Sequence, residues 1–308
     1  MTIHPAPRIP DGRDGKAYVL QREISFAVKV AVATGRPLLL RGEPGSGKSS
    51  LAAHLARTWN WRYYEHVVTS RTGARDLLWS FDAVRRLGDA QLRQHGERPH
   101  DIAYVEPGVL WWAFAPDSAA QRGGANADHH ADDPNPDNAR RAREHAVVLI
   151  DEIDKADPDM PNGILVPLGS SEFEVTETRT RIRAADDVRP LIIITTNEDR
   201  ELPQAFLRRC VVAWLPELTG EHLVKVATEH LRAYGEKVTE SDTTLAEALA
   251  RELMAARRQA ADLGVRKPST AEFLDALRAI RELGIEVGSP EWEDLRSLVL
   301  IKVQQPAA

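Results

Sequence analysis

Residues 42–49 read Gly-Glu-Pro-Gly-Ser-Gly-Lys-Ser, the pattern G-x-x-x-x-G-K-[ST] set directly after the apolar run Leu38–Leu40 and ahead of a helix expected over Ser50–Thr58. A short apolar run bounded by turn residues suits a strand buried on both faces of a parallel sheet, so the placement points to an α/β chain. Glycines at 45 and 47 let backbone N–H groups turn inward around a phosphate, and the following helix adds its positive end. Gly42, Glu43, Pro44, Gly45, Ser46, Gly47, Lys48, Ser49 and the adjoining Ser50 therefore form a candidate anion cradle. Lys48 is expected to reach the β- and γ-phosphates as a point charge, and the Ser49 hydroxyl to take one position on Mg²⁺. A glycine-rich turn that merely contains a lysine is the alternative, and the strand and helix on either side weigh against it.

Three further strands are expected at Tyr63–Val68, Val147–Ile150 and Leu191–Thr195, and a helix over 20–34 follows Ile24, Ala27, Val28 and Ala31. Buried strands alternating with helices imply a parallel sheet sandwiched by helices. Val147–Ile150 runs into Asp151-Glu152, placing two carboxylates where a strand leaves the sheet, and ligands of open parallel sheets lie beyond that edge. Asp151 can hold Mg²⁺ through water, while Glu152 can polarise the water that attacks a γ-phosphate. A solvated acidic turn is the alternative for 151–154. Leu191–Thr195 ends in Thr196-Asn197, which puts an amide at the same edge; Asn197 either orients that water or is a simple turn residue.

The composition fits this picture. With 308 residues, 43% hydrophobic and 28% charged, the chain is neither fibrous nor wholly disordered. Its net charge of −6 gives no global case for nucleic acid or an anionic membrane. No run approaches the roughly 18 apolar residues of a membrane span, and the Pro- and Gly-rich start lacks a signal-peptide core, so a cytoplasmic location is expected. Cys210 is the sole cysteine, expected as a partly buried thiol. His129 and His130 among Asp128, Asp132 and Asp133 sit in a loop with no fixed geometry, better read as solvated than as a metal site.

The expected organisation is a tail over 1–17, an α/β nucleotide-binding core over 18–216, and an all-helical domain over 217–308. Within the core, 117–138 has almost no large apolar residue and is expected to be a flexible surface insertion. The helical domain carries amphipathic stretches near 219–233, 243–263, 270–283 and 290–303.

Phosphate loop, DE-ended strand, TTN-ended strand and C-terminal helices, in that order, resemble an AAA+ ATPase. The stretches YVEPGVLWWAF (104–114), LIDEIDKADPDMPNGIL (149–165), RPLIIITTNEDRELPQAFLRRC (189–210) and RKPSTAEFLDAL (266–277) resemble its MoxR-like branch. That resemblance implies a P-loop NTPase fold with a helical lid, ATP and Mg²⁺ as cofactors, and a homo-oligomeric ring, expected as a hexamer. It implies that Arg208 or Arg209, with Arg209 favoured, acts as an arginine finger on the neighbouring subunit's γ-phosphate; paired surface arginines are the alternative. It also implies a lid sensor at Lys267 or Arg266, although the departure from Gly-x-Arg leaves a plain helix start capped by Ser269 or Thr270 equally open. Ser49-Ser50 replaces the commoner threonine pair, and Glu43 a common proline. By the same analogy the adenine pocket lies near Tyr18, Val19 and Leu20. The aromatic stretch Tyr104–Phe114 either grips a partner or is core beneath the insertion.

The function expected is ATP hydrolysis by a ring that remodels or activates a protein partner, in the MoxR group often with a von Willebrand factor A domain protein. A nucleotide-dependent switch in a defence or signalling pathway is the alternative. A nucleic-acid motor would need a basic, aromatic-interleaved groove, and none is visible. No LSGGQ-like signature supports a transporter ATPase.

Overall fold

The computed structural model describes residues 15–92, 100–124, 130–235 and 237–301. In chain order these form α1 (Arg22–Thr34), β1 (Leu38–Arg41), α2 (Lys48–Trp59), β2 (Trp61–Val67), β3 (Trp79–Phe81), α3 (Ala83–Leu92), β4 (Val105–Pro107), α4 (Val109–Phe114) and α5 (Pro116–Ala120). There follow β5 (Ala142–Asp151), α6 (Met160–Gly163), α7 (Leu165–Ser170), β6 (Glu172–Val175), β7 (Thr180–Arg183), β8 (Leu191–Thr196), α8 (Gln204–Leu207) and β9 (Val211–Trp214). The C-terminal part is helical: α9 (Gly220–Ala233), α10 (Glu240–Leu263), α11 (Thr270–Leu283) and α12 (Pro290–Leu295), then a π-helical turn over Arg296–Ile301. Contacts divide the chain into two units. One holds Arg22–Arg41 and Leu55–Trp214; the other holds, among the described residues, 15–21, Gly42–His54 and 215–301.

In the first unit β1 lies inside a five-stranded sheet of order β2-β5-β8-β1-β9, with parallel pairing throughout. Leu38, Leu39 and Leu40 are fully buried, as a central strand covered on both faces requires. The helix α1 packs on β1 and β9, and α4 packs on β2 and β5. The buried residues of α1, Ile24, Val28 and Ala31, follow helical spacing, and the chain turns at Gly35 with φ of +65°. The strands β2 and β5 start earlier than their apolar runs suggest. Trp61 pairs with Ala142 beyond a register shift, through the exposed Arg143 and Glu144, which carry no hydrophobic signal. The hairpins β3–β4 and β6–β7 and the edge strand β9 are short and half-exposed, so the apolar pattern did not mark them.

Two expectations about loose segments are corrected. Within 117–138, residues 133–138 are tied down along the open edge of the sheet. Asn138, buried, accepts from the Tyr63 amide at 2.8 Å, Asn135 donates to the Tyr63 carbonyl at 3.0 Å, and the Tyr64 hydroxyl donates to Asp133 at 3.0 Å. Side-chain amides thus take the bonds a further strand would have made, covering an edge that would otherwise invite pairing. Residues 125–129 of that segment, with Asp128 and His129, lie outside the described residues, as do 1–14 of the expected tail. Gly15, within that expected tail, is buried so tightly that a Cβ there would lie 2.4 Å from the Ala53 carbonyl oxygen.

The aromatic stretch Tyr104–Phe114 is core. Tyr104, Trp111, Trp112 and Phe114 are all buried, Trp111 meets Phe173 edge-on at 5.8 Å, and Trp79 stacks on the same ring at 5.6 Å. Cys210 is also buried, which pushes its thiol up to about 11.

The helical part of the second unit has its own core, including Leu223, Leu249, Leu253, Phe273, Leu277, Ile280 and Trp292. Capping boxes start α10 (Thr239 with Asp242) and α11 (Ser269 with Glu272), so the boundaries are written in local chemistry.

Trp111 has 0% exposure, whereas Phe26 on α1 is 67% exposed. Trp111→Ala should cost about 3–5 kcal/mol, and Phe26→Ala should stay within about 0.5 kcal/mol. Urea unfolding with an unchanged slope checks both; equal midpoints would contradict the assignment of the aromatic stretch to the core.

Candidate functional site

The residues after β1 are shaped by three glycines with positive φ, +150° at Gly42, +72° at Gly45 and +94° at Gly47. Side chains rarely adopt these conformations, and at Gly45 there is a second constraint. A Cβ there would lie 2.6 Å from the Ser269 Oγ and 2.7 Å from its Cβ. Ala271 donates its amide to the Gly45 carbonyl at 3.3 Å, so the start of α11 is packed directly on the loop. Lys48 is buried, and its ammonium donates to the carbonyls of Gly42 at 2.7 Å and Glu43 at 2.9 Å. Among the described residues the Ser46 hydroxyl is buried without a partner. A buried ammonium resting on carbonyls, left-handed glycines and an unsatisfied hydroxyl fit a polyphosphate, whose oxygens would take over those bonds.

The two candidate lid sensors are engaged elsewhere in this unit. Lys267 donates to Glu217 at 2.8 Å, and Arg266 pairs with Glu272 at 3.3 Å. The residue set against Gly45 is Ser269, considered from sequence only as a helix cap. Tyr18, near the expected adenine pocket, stacks on His54 at 5.3 Å, and its ring lies 3.6 Å from where a Gly47 Cβ would stand. Val19 and Leu20 are half-buried.

In the other unit the carboxylates stand at the carboxyl edge of the sheet. Asp151, last residue of β5, is 3% exposed, and the Thr195 hydroxyl donates to its Oδ1 at 2.5 Å. The same hydroxyl oxygen accepts from the Glu152 amide at 2.9 Å. Glu152 itself is left-handed, with φ +63° and ψ +51°, a conformation that costs about 1–2 kcal/mol in a residue with a Cβ. This turn takes the Glu152 side chain off the strand line. One carboxylate oxygen accepts from Asn197 Nδ2 at 3.3 Å, and the other from Lys155 Nζ at 2.5 Å. That bond raises the Lys155 ammonium above its ordinary value. Asp154, also buried, accepts from the Asp199 amide at 3.0 Å and ties the turn to the segment after β8. With Asp151 and Asp154 both buried, 151–154 is not a solvated acidic turn.

Thr195 escaped the sequence analysis, which credited only Asn197 on this strand. A fully buried threonine inside Leu-Ile-Ile-Ile-Thr-Thr was the available signal, because a buried hydroxyl has to find a partner.

Arg208 and Arg209 are exposed at the opposite edge. They follow α8, anchored by the buried Phe206, and precede β9, whose Val211 pairs with Leu38. The register puts Arg209 level with Leu191 and Asp151 level with Thr195. Four residues along the strands and three strand spacings across separate Arg209 from Asp151 on the order of 20 Å.

Among the described residues no group of three or more His, Cys, Asp or Glu side chains could hold a metal; Asp128 and His129 lie outside those residues. No helix among them is long and apolar enough to cross a membrane.

No curated protein matches the chain. Among solved structures, the crystal structure of a proposed ATPase from Cytophaga hutchinsonii aligns with 94% of this chain and 83% of its own, at 15% identity and a TM-score of 0.45. The model of the family described as AAA domain (dynein-related subfamily) matches residues 37–210, more than half of the 308 residues. That span runs from the start of β1 through the phosphate loop, Asp151-Glu152 and Asn197 to the arginine pair, and the chain belongs to the dynein-related subfamily of AAA domains.

Proposed function

We infer that the chain is a Mg²⁺-dependent ATPase whose catalytic centre is completed by a neighbouring copy. The AAA domain supports ATP-driven activity, and AAA+ domains commonly assemble as rings. The observation that carries the finer reading is the separation within one sheet. Asp151, Glu152 and Asn197 occupy one edge while Arg208 and Arg209 occupy the other, so the arginines serve a site on another chain.

In this reading the loop amides and Lys48 hold the β- and γ-phosphates of ATP. Ser49 and Asp151 hold Mg²⁺, which when bound neutralises charge on the phosphate oxygens. Glu152 accepts a proton from the attacking water, and Asn197, on its other carboxylate oxygen, orients that water. Arg209, with Arg208 beside it, meets the charge developing on the neighbour's γ-phosphate. Residues 18–216 serve as the nucleotide-binding core and 217–308 as the lid. The MoxR resemblance supports a hexameric ring acting on a protein client, with a von Willebrand factor A domain protein as its companion. The Lys155–Glu152 ion pair favours a second reading, an ATP-dependent switch with slow turnover, since a cation already engages one carboxylate oxygen of the proposed base.

Lys48→Ala should weaken ATP binding on the order of 100-fold, two charge-assisted bonds being lost. Glu152→Gln should keep ATP binding and lower kcat about 10²–10⁴-fold; normal turnover would remove Glu152 from the mechanism. Thr195→Val keeps the shape but removes the bridging hydroxyl, and should lower kcat about 10–100-fold and lower the thermal midpoint as well, because buried Asp151 and the Glu152 amide both lose a partner. Sedimentation of Glu152→Gln with Mg²⁺-ATP should show a ring-sized species. A monomer at saturating ATP would leave the switch reading in place of the ring.

A further inference from the structure

Both strands that end beside the carboxylates run into a left-handed glutamate. Glu152 follows β5 with φ +63°, and Glu198, two residues past β8, has φ +63° as well. The two turns are fastened alike. The Glu152 amide donates to the Thr195 hydroxyl, and the Glu198 amide donates to the hydroxyl of the next residue, Thr196, at 2.9 Å. A cation then takes each carboxylate: Lys155 pairs with Glu152, and Arg41 pairs with Glu198 at 3.1 Å. Asn197 is the middle residue of the second turn, which the bond from the Glu198 amide to the Thr196 hydroxyl closes.

Arg41 is the last residue of β1, level with Thr196 in the parallel register and immediately before Gly42. Stability does not explain a guanidinium in this place. Its Nε is buried and has no hydrogen-bond partner among the described residues. The side chains of Arg41 and Glu198 are 26% and 38% exposed, and an ion pair so open to water adds little to folding. Nor does the pair fill the core: with Arg200, Gln204 and Leu207 it lines a cavity of about 260 Å³. A left-handed glutamate, an unsatisfied donor and a weakly stabilising pair are unfavourable features that meet around one functional side chain, the amide of Asn197. Its Nδ2 donates to Glu152 at 3.3 Å, a long bond that a small rotation of the turn would break. The Asp199 amide is held by Asp154, which belongs to the turn of Glu152 itself. Arg41 supplies a separate fastening, from the strand that leads into the phosphate loop.

We propose that Arg41 is a positioning residue for hydrolysis, holding Asn197 toward Glu152 through the carboxylate of Glu198. This rests on the ATPase reading above, in which Asn197 orients the attacking water. Arg41 acts through Asn197 and not on the nucleotide, so its loss slows hydrolysis and leaves ATP binding in place. A direct contact with phosphate would change both.

A mutant cycle in the full chain tests this, with kcat measured at saturating Mg²⁺-ATP for the parent, Arg41→Met, Asn197→Ala and the double variant. Arg41→Met keeps much of the aliphatic stem and removes the charge, and should lower kcat about 10–100-fold. Glu198→Gln should match it. ATP affinity, read by equilibrium binding to the same chains carrying Glu152→Gln, should stay within about twofold of the parent. In the Asn197→Ala background, Arg41→Met should cost less than about twofold in kcat, because the amide it positions is gone. A general structural defect would lower kcat equally in both backgrounds. Arg41→Met or Glu198→Gln turning over at the parent's rate overturns the positioning role, as does an undiminished loss in the Asn197→Ala background or an equal loss of ATP affinity; each leaves the ATPase reading standing. Asn197→Ala as active as the parent removes Asn197 from the mechanism and Arg41 with it. A parent that hydrolyses no ATP overturns the ATPase reading and this role together.

Discussion

The hydroxyl of Thr195 holds the carboxylate edge together. It lies between two strands, donates to Asp151 and accepts from the Glu152 amide, so one oxygen fixes two residues. A carboxylate as buried as Asp151 is costly without hydrogen bonds, and a bond to a charged group recovers about 1.5–3 kcal/mol. The left-handed turn at Glu152 is sustained by the same bond, and it re-aims a side chain that a straight strand would have buried or pointed away from Asn197. Proximity of β5 and β8 in the sheet order is what lets a hydroxyl on one strand serve the end of the other.

The phosphate loop is built on a different economy. Its glycines take backbone conformations that side chains avoid, and Gly45 leaves the only room for Ser269 at the start of α11. Lys48 spends its ammonium on the loop's own carbonyls, so phosphate oxygens enter a network already formed. Such preorganisation lets binding energy go into charge stabilisation and not into ordering the loop.

Much of this was legible in the residues. The phosphate loop, Asp151-Glu152 and the strand ending in Asn197 are local patterns, each announced by an apolar run and a change of chemistry at its end. Features fixed by distant partners were not. The ordering of 130–138 depends on amides that meet the backbone of Tyr63, some 70 residues earlier, and its composition alone reads as loose loop. The strands β3, β4, β6, β7 and β9 are too short and too exposed to show a pattern. Lys267 was named by analogy with a motif this chain does not carry, and the structure commits it to Glu217. Tyr104–Phe114 was ambiguous because core and interface use the same aromatic residues; only burial separates them.

The central claim is that each hydrolytic site takes Glu152 from one chain and Arg209 from the next. Mixing two inactive variants, Glu152→Gln and Arg209→Ala, measures this directly through steady-state ATP hydrolysis. In a randomly mixed ring about a quarter of the boundaries pair an intact Glu152 with an intact Arg209, so the mixture should regain hydrolysis that neither variant shows alone. A mixture that stays as inactive as its components, although the two chains co-assemble, would contradict a shared site.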